Sequence, residues 1–228
     1  MLTAIIVAGG SSRRMGFDKT FALLGDRPVV AHSISAFDAA DTVEEIVLVG
    51  REDRLEELQA LVRQHRFGKV KRVMAGGIHR QDSVRAGLEA VGAECRYVAV
   101  HDAARPLITA AQIARVYEAA RVHGAATLAA PVSDTLKRAD AEGFVCESLD
   151  RERVFAMQTP QIFSRELLSA AYERIEADNI SITDEASALQ HLGHKVMLLP
   201  ADDVNLKITF PADLALAELV LSRRRAGD

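Results

Sequence analysis

The chain has 228 residues, and its 28 Lys and Arg against 32 Asp and Glu give a formal net charge of −4. This balance argues against a protein that coats nucleic acid, because such proteins usually carry a strongly basic surface. The hydrophobic fraction of 49% and the charged fraction of 26% are typical of a globular domain, and they exclude wholesale disorder and collagen-like repeats. Aromatic residues make up only 5% and Trp is absent, so we expect a core of Ala, Val, Leu and Ile.

Cysteine usage and the N-terminus bear on the cellular compartment. Cys95 and Cys146 lie far apart, without the CxxC spacing of a metal site, and both are predicted to be reduced core residues. The N-terminal apolar run is short, no basic segment precedes it, and Gly and Arg follow it where a signal peptide has small residues. No other stretch reaches the ~20 apolar residues of a membrane span. We therefore expect a cytoplasmic protein without a membrane or nucleic-acid partner.

Short β-branched runs alternate with amphipathic helical patterns up to residue 131. This alternation is typical of a layered α/β fold with a largely parallel sheet. Helices are predicted between the strands from the spacing of their apolar residues; the first begins near Pro28 and the last ends at Gly124. The predicted strands are 3–8, 45–50, 70–75, 97–101 and 126–131.

The segment 132–158 breaks this rhythm, because it is polar and lacks helical periodicity. A turn signal at residues 140–143, Asp-Ala-Glu-Gly, predicts a β-hairpin that protrudes from the domain. No linker or internal repeat divides the chain, so we expect one domain, 1–228, with an arm at 132–158. Beyond the arm the patterns predict helices at 165–177, at 184–192 and from Pro211 to 225, with a strand at 195–199.

The turn after the first predicted strand is a candidate ligand site, because open parallel sheets bind ligands beyond the carboxyl ends of their strands. It reads AGGSSRRMG over residues 8–16, with Lys19 close behind. Gly9 and Gly10 allow backbone N–H groups to converge on an anion, and Arg14 and Lys19 add positive charge. Neither the Walker A spacing nor GxGxxG occurs here. We predict a site for nucleotide phosphates, with a glycine turn and solvated arginines as the alternative.

Two further clusters follow predicted strands. The first, GGIHRQDS at 76–83, opens a helix, where Ser83 is suited either to a base or ribose or to a plain helix cap. The second, HDAARP at 101–106, contains Asp102 at a strand end. A lone carboxylate there can hold Mg²⁺ while a nucleotide supplies other oxygens; the alternative is a surface ion pair between Asp102 and Arg105.

Other polar residues lie on the arm or near the C-terminus. DTLKR at 134–138 and Asp150-Arg151 fall on the arm, where a solvated face is the alternative, and Lys207 follows the late strand. His101 adjoins Asp102 and is predicted to be structural. His191 and His194 lack a third metal ligand. No histidine is assigned to the chemistry.

Taken together, these clusters resemble the 2-C-methyl-D-erythritol 4-phosphate cytidylyltransferase family of the non-mevalonate isoprenoid pathway. HDAARP and TDEASAL are its specific signals, whereas the glycine-rich start is shared by nucleotidyltransferases of many substrates and is also similar to that of molybdenum cofactor guanylyltransferases. The motifs stand in the family's order: AGGSSRRMG with Lys19, GG and DSV within 76–84, HDAARP at 101–106, DTLKR at 134–138, TPQIF at 159–163, TDEASAL at 183–189 and NLKIT at 205–209.

The resemblance implies a Rossmann-like nucleotidyltransferase fold: a mostly parallel twisted sheet with helices on both faces and a protruding β-hairpin arm that makes a homodimer. It assigns Arg14 and Lys19 to transition-state stabilisation, Arg151 and Lys207 to positioning the acceptor, and Asp102 to Mg²⁺. The nucleotide-binding residues that it implies are Ala8, Gly9, Gly10, Gly76, Ser83, Asp102 and Ala103. The acceptor-binding residues that it implies are Asp102, Arg105, Thr135, Arg151, Thr159 and Lys207.

The activity that the resemblance implies is transfer of CMP from CTP to 2-C-methyl-D-erythritol 4-phosphate, with release of pyrophosphate. A phosphate is already an anionic nucleophile, which agrees with clusters that are rich in Arg and Lys but lack a Ser-His-Asp arrangement. Two alternatives stay open. One is a related nucleotidyltransferase acting on ribitol 5-phosphate or a molybdopterin, and the other is a catalytically silent nucleotide-binding protein.

Overall fold

The structure, a computed structural model, describes residues 1–10 and 15–227. Seven helices lie in the described part: α1 (Val29–Ala39), α2 (Leu55–His65), α3 (Arg80–Ala90), α4 (Ala110–His123), α5 (Arg165–Ala177), α6 (Glu185–His191) and α7 (Pro211–Gly227). The strands of the described part are β1 (Leu2–Val7), β2 (Leu23–Leu24), β3 (Arg27–Pro28), β4 (Val43–Gly50), β5 (Val70–Ala75), β6 (Tyr97–Asp102), β7 (Ala125–Pro131), β8 (Leu136–Ala139), β9 (Val145–Leu149), β10 (Phe155–Ser164) and β11 (Met197–Pro200).

The main sheet has seven strands in the order β11-β7-β10-β6-β1-β4-β5. Its neighbouring strands are parallel, except that β10 runs antiparallel to both β6 and β7. From β1 the chain moves outward to β4 and β5, and it then returns to the other side of β1 with β6. The order therefore reverses beside β1, at the kind of position where open α/β sheets bind ligands.

Helices cover both faces of this sheet. On one face α1, α2 and α4 bury residues such as Phe37, Leu58 and Ile113 against the sheet. On the other face α3, α5 and α6 do the same, for example with Val84 and Leu168. Strands buried on both faces carry continuous apolar runs, as β1 does. The predicted mostly parallel sheet with helices on both faces is confirmed.

The predicted hairpin exists, but the arm is shorter than expected. Strands β8 and β9 pair only with each other, and the turn between them, at residues 140–143, has Gly143 at φ 93°. Residues 155–158 belong instead to β10 in the main sheet, so the paired strands of the hairpin cover less than the predicted segment of about 132–158. The strand escaped prediction because Pro160 normally argues against a central strand.

The two cysteines have different environments. Cys95 is buried, as predicted, whereas Cys146 lies exposed on β9. The prediction of Cys146 as a core residue is therefore wrong, because the hairpin that carries it does not pack into either face of the main sheet. In the part of the chain that the structure describes, no helix has the length and apolar character needed to cross a membrane.

The C-terminal segment is tied back to the strand ends. α7 packs with β2 and α1 through a small cluster that includes Leu24, Val29 and Ala217. Ile208, in the same cluster, donates its backbone N–H to the carbonyl of Ala104 at 2.8 Å. This contact brings the segment around Lys207 to the loop that follows β6.

Candidate active site

Three loops meet where β1, β5 and β6 end. Ala8 donates its backbone N–H to Val49, and Ala103 donates to Val7, so both loops continue the hydrogen-bonding of the sheet. Between the loops lies a pocket of about 210 Å³, called the first pocket below. Eight predicted site residues line it: Ala8, Gly9, Gly10, Lys19, Ser83, Asp102, Ala103 and Lys207.

Ser83 lines the first pocket, whereas Gly76 does not line it and lies against the Ser83 side chain. A Cβ on Gly76 would lie 2.3 Å from Oγ of Ser83, so a larger residue cannot occupy position 76 without displacing the serine. Ser83 is buried, and its hydroxyl donates to the carbonyl of His79 at 3.3 Å. The helix is capped instead by Asp82, which accepts the backbone N–H of His79 at 3.0 Å. The cluster 76–83 thus supplies a helix cap through Asp82, and Ser83 is not the residue that forms it.

A second pocket of about 280 Å³ adjoins the first. It is lined by the predicted residues Asp102, Arg105, Thr159 and Lys207, together with polar residues from β10 and the start of α6. β10 brings Thr159 here because it is antiparallel, so its first half lies at the carboxyl ends of the parallel strands. Three side chains, those of Arg80, Asp102 and Lys207, line both pockets and form their shared wall.

Asp102 is at the centre of the shared wall. Its Oδ1 accepts from Nε of Arg80 at 3.0 Å, and its Oδ2 accepts from Nζ of Lys207 at 2.6 Å. Burial by itself raises the pKa of the Asp102 carboxyl, but the positive charges of Arg80 and Lys207 outweigh it and hold the pKa well below its usual range. Asp102 is therefore a carboxylate at neutral pH.

The expected alternative, a surface ion pair between Asp102 and Arg105, is wrong. Arg105 is buried and donates to the backbone carbonyls of Asn205 at 2.8 Å and of Met157 at 3.2 Å. Burial lowers the pKa of Arg105. The guanidinium thus ties the loop after β6 to β10 and to the Asn205 segment, at the edge of the second pocket.

His101 and Thr159 support the wall from behind. The hydroxyl of Thr159 accepts the backbone N–H of Asp102 at 3.0 Å and lies 3.1 Å from Nδ1 of His101. Nε2 of His101 lies 3.2 Å from the carbonyl oxygen of Arg105, and the imidazole contacts the ring of Phe37. Burial lowers the pKa of His101 to about 3, so the imidazole is neutral. These contacts agree with the predicted structural role.

Lys19 lines the first pocket. Its Nζ donates to the backbone carbonyl of Ile208 at 3.0 Å, which links the loop after β1 to the segment of Lys207. Arg14, the other cation predicted for the glycine loop, lies outside the described residues.

The arm residues are not brought to either pocket of this chain. Thr135 and Arg151 are exposed, and neither lines the first or the second pocket. The Arg151 guanidinium donates to the backbone carbonyl of Ser133, within the base of the arm. The structure therefore separates these two residues from the other predicted site residues.

Arg80 and Glu185 are two site features that the sequence analysis missed. The guanidinium of Arg80 pairs with Glu185 at 2.7 Å as well as with Asp102. Burial alone lowers the pKa of Arg80, but the two carboxylates raise it overall. A signal was present: an arginine at the first position of a helix opposes the helix dipole, so it calls for a carboxylate partner.

The fold and the pockets define an α/β protein of the nucleotidyltransferase type, with a glycine-lined pocket and a lysine at the ends of parallel strands. Residues 2–223 match the family described as IspD, 2-C-methyl-D-erythritol 4-phosphate cytidylyltransferase. The chain belongs to this family, and the resemblance inferred from the motifs is confirmed.

Relatives and solved structures support the same assignment along nearly the whole chain. The 2-C-methyl-D-erythritol 4-phosphate cytidylyltransferase of Dehalococcoides mccartyi is 42% identical over 223 residues, covering 97% of this chain and 96% of that protein. The crystal structure of the enzyme of the same name from Thermus thermophilus is 31% identical with a TM-score of 0.78, covering 96% of this chain and 98% of the other. The 4-diphosphocytidyl-2C-methyl-D-erythritol synthase of Anaerococcus prevotii is 28% identical with a TM-score of 0.85, covering 98% and 96%.

Proposed function

We propose that this protein transfers CMP from CTP to 2-C-methyl-D-erythritol 4-phosphate, giving 4-diphosphocytidyl-2-C-methyl-D-erythritol and pyrophosphate. The observation that carries this proposal is the shared wall of Arg80, Asp102 and Lys207 between two adjoining pockets. A glycine-lined pocket suits a nucleoside triphosphate, and a polar pocket beside it suits a small phosphorylated alcohol. A reaction that joins two phosphates needs such a common boundary.

The reaction needs little proton transfer from the protein. The acceptor phosphate is an anion and attacks the α-phosphorus of CTP directly, so no general base is required. The main obstacle to the reaction is the electrostatic repulsion between two polyanions. Fixed cations in a pocket that excludes water reduce this repulsion. The neutral, buried imidazole of His101 agrees with chemistry that does not use a histidine.

Lys19 and Lys207 differ in the pockets that they line, and we assign each of them to the phosphate of a different substrate. Lys19 lines only the first pocket, and we assign it to the phosphates of CTP, together with Arg14 of the same loop. Lys207 lines both pockets, and we assign it to the attacking phosphate of the acceptor. Arg105 and Thr159 line the second pocket and complete the acceptor site.

Asp102 is the residue that we propose to hold Mg²⁺. The described residues contain no group of three or more His, Cys, Asp and Glu placed to hold a metal by themselves. A single buried carboxylate fits Mg²⁺ nevertheless, since this ion is usually bound through one or two carboxylates and the phosphates of a substrate. When bound, the ion neutralises charge on the triphosphate. Asp102 would hold the ion, and Lys207, which also lines the second pocket, would serve the acceptor phosphate.

We also propose that the arm makes a homodimer in which Thr135 and Arg151 complete the partner's second pocket. Within the described residues the strands of the hairpin pair with each other and not with the main sheet, and Phe144 and Val145 on it are 70% and 67% exposed. Exposed apolar side chains on a protruding hairpin favour an interface. A cytoplasmic location, without nucleic-acid or membrane partners, stays a prediction.

An acceptor panel tests the proposed function. The purified chain is incubated with CTP, Mg²⁺ and either 2-C-methyl-D-erythritol 4-phosphate or ribitol 5-phosphate, and both pyrophosphate and the CDP-alditol are measured. We expect turnover with methylerythritol phosphate. Turnover with ribitol 5-phosphate alone would assign the protein to a different acceptor. The same panel with ATP, GTP and UTP tests the preference for cytosine.

A further inference from the structure

A chain of polar contacts runs behind the shared wall. The Tyr172 hydroxyl donates to Oε1 of Glu185 at 3.1 Å. The two terminal nitrogens of Arg80 donate to Oε1 and Oε2 of Glu185 at 2.7 and 3.0 Å. Nε of Arg80 donates to Asp102, which in turn accepts from Lys207. The contacts thus connect α5, α6 and α3 to the end of β6.

Glu185 is the buried anchor of this chain. Its side chain is 0% exposed and lines neither the first nor the second pocket. A buried carboxylate is tolerated only when it is paired and hydrogen-bonded, and the two-pronged contact with Arg80 meets that need. The backbone N–H groups of Glu185 and Ala186 both donate to Oε1 of Gln161 at 3.1 Å, so the start of α6 is fixed to β10.

The geometry leaves Arg80 with a single orientation. Three of its nitrogens are engaged by two carboxylates that come from different elements. A lysine has only one nitrogen and cannot reproduce this fork. The orientation of Arg80 determines which oxygen of Asp102 is held, and the other oxygen then faces Lys207.

We propose that Glu185 is a positioning residue: through Arg80 it holds Asp102 in the orientation that presents Oδ2 to Lys207 at the boundary of the two pockets. This inference rests on the proposed function, because the boundary is where the acceptor phosphate meets CTP. The anchor controls the alignment of the two substrates. It contributes little to the binding of CTP, because of the predicted CTP contacts only Asp102 belongs to the chain, while the glycine loop and Ser83 lie outside it.

Two variants and two matched controls test this role in the full-length protein. Glu185→Gln keeps the size of the anchor and removes its charge, while Arg80→Lys keeps the charge and removes the fork. The controls, Glu176→Gln and Arg85→Lys, disrupt another Arg–Glu pair that also involves α3 but joins it to α5; this pair is exposed and lies outside both pockets. The measurements are kcat, the KM values for CTP and for the acceptor, and exchange of the Arg80 Nε–H with water by NMR.

We expect Glu185→Gln and Arg80→Lys to lower kcat by about 10- to 100-fold, because small misalignment of reacting groups has effects of this size. The KM for CTP should stay within about threefold, since uniform binding is not affected. Glu185→Asp, which retains a carboxylate, should recover part of the kcat lost in Glu185→Gln. The Arg80 Nε–H should exchange at least about tenfold faster in Glu185→Gln, because its hydrogen bond to Asp102 opens more often. The two controls should behave as the wild type does.

A folded Glu185→Gln protein with wild-type kcat and wild-type Nε–H exchange would overturn the inference. If Glu185→Gln does not fold, the kcat of Arg80→Lys tests the inference instead, and a wild-type kcat in that variant would overturn it. Absence of turnover by the wild type would contradict the proposed function instead. The NMR exchange measurement would then test the positioning role of Glu185 by itself, and unchanged Nε–H exchange in Glu185→Gln would overturn that role.

Discussion

The ammonium group of Lys207 lies 2.6 Å from Oδ2 of Asp102, although 105 residues separate the two in the chain. The pair lies where the first and second pockets meet. Each of the two side chains can therefore contact either the other side chain or a substrate or ion. The pair thus stands at the boundary where the proposed chemistry brings the two phosphates together.

Asp102→Asn is expected to lower kcat/KM by about 100-fold or more, because it removes the carboxylate proposed for Mg²⁺ and the counter-charge of Lys207, and leaves Arg80 paired with Glu185 alone. Raising the Mg²⁺ concentration should not restore the activity. The measurement is kcat/KM over a Mg²⁺ titration, with Asp178→Asn as control, since Asp178 is a carboxylate outside both pockets that pairs with Arg174 and His191. Full activity of Asp102→Asn with an unchanged Mg²⁺ requirement would place Asp102 outside the chemistry and the metal site, whereas recovery only at high Mg²⁺ would limit its role to holding the ion.

Lys19→Ala should lower kcat by about 10²- to 10³-fold and raise the KM for CTP much less, because a contact made mainly in the transition state affects kcat. Lys71→Ala is a matched control: Lys71 is an exposed lysine that also donates to a backbone carbonyl, that of Gly68 at 3.0 Å. Steady-state kinetics with both substrates varied checks the prediction. Full activity in Lys19→Ala would remove this residue from the mechanism.

Arg151 is expected to act across the dimer. Arg151→Ala and Lys19→Ala subunits, each inactive alone, form one intact site in every heterodimer if the arm reaches the partner's second pocket. Random mixing should therefore restore about a quarter of the wild-type sites. Verified heterodimers that stay inactive would place Arg151 in the site of its own chain.

The burial of His101 predicts that the free energy of unfolding depends on pH. Its pKa in the folded protein, about 3, lies below the ordinary value of 6.5, so only the unfolded chain takes up a proton between these values. The stability due to the neutral imidazole is complete above pH 6.5 and falls as the pH decreases toward 3, by at most about 1.4 kcal/mol per pH unit. Urea unfolding between pH 7.5 and 4.5 should show a shallower loss for His101→Gln than for the wild type. His194→Gln, at an exposed histidine, serves as the control. Equal slopes of unfolding free energy against pH for His101→Gln and the wild type would contradict the argument from burial.

Local patterns predicted most of the fold because each depends on nearby residues. The strand at Val70–Ala75 and the helix at Arg165–Ala177 have the predicted bounds, and Gly124 ends α4 in the left-handed conformation that glycine favours. β10 was missed because its membership in the sheet depends on pairing with β6 and β7, which no local pattern records. Cys146 was misjudged for a related reason: whether a strand is covered depends on its neighbours in space.

The sequence by itself determined the family, most of the order of strands and helices along the chain, and the residue types placed after β1, β5 and β6, because turns, periodicity and motifs depend on consecutive residues. Only the tertiary structure decided which charges pair. Asp102 contacts Arg80 and Lys207 rather than Arg105, which is only three positions away. Arg80 also pairs with Glu185 of α6. The reason is physical: ion pairing depends on distance and burial, and both are set by the neighbours that each strand acquires when the sheet forms.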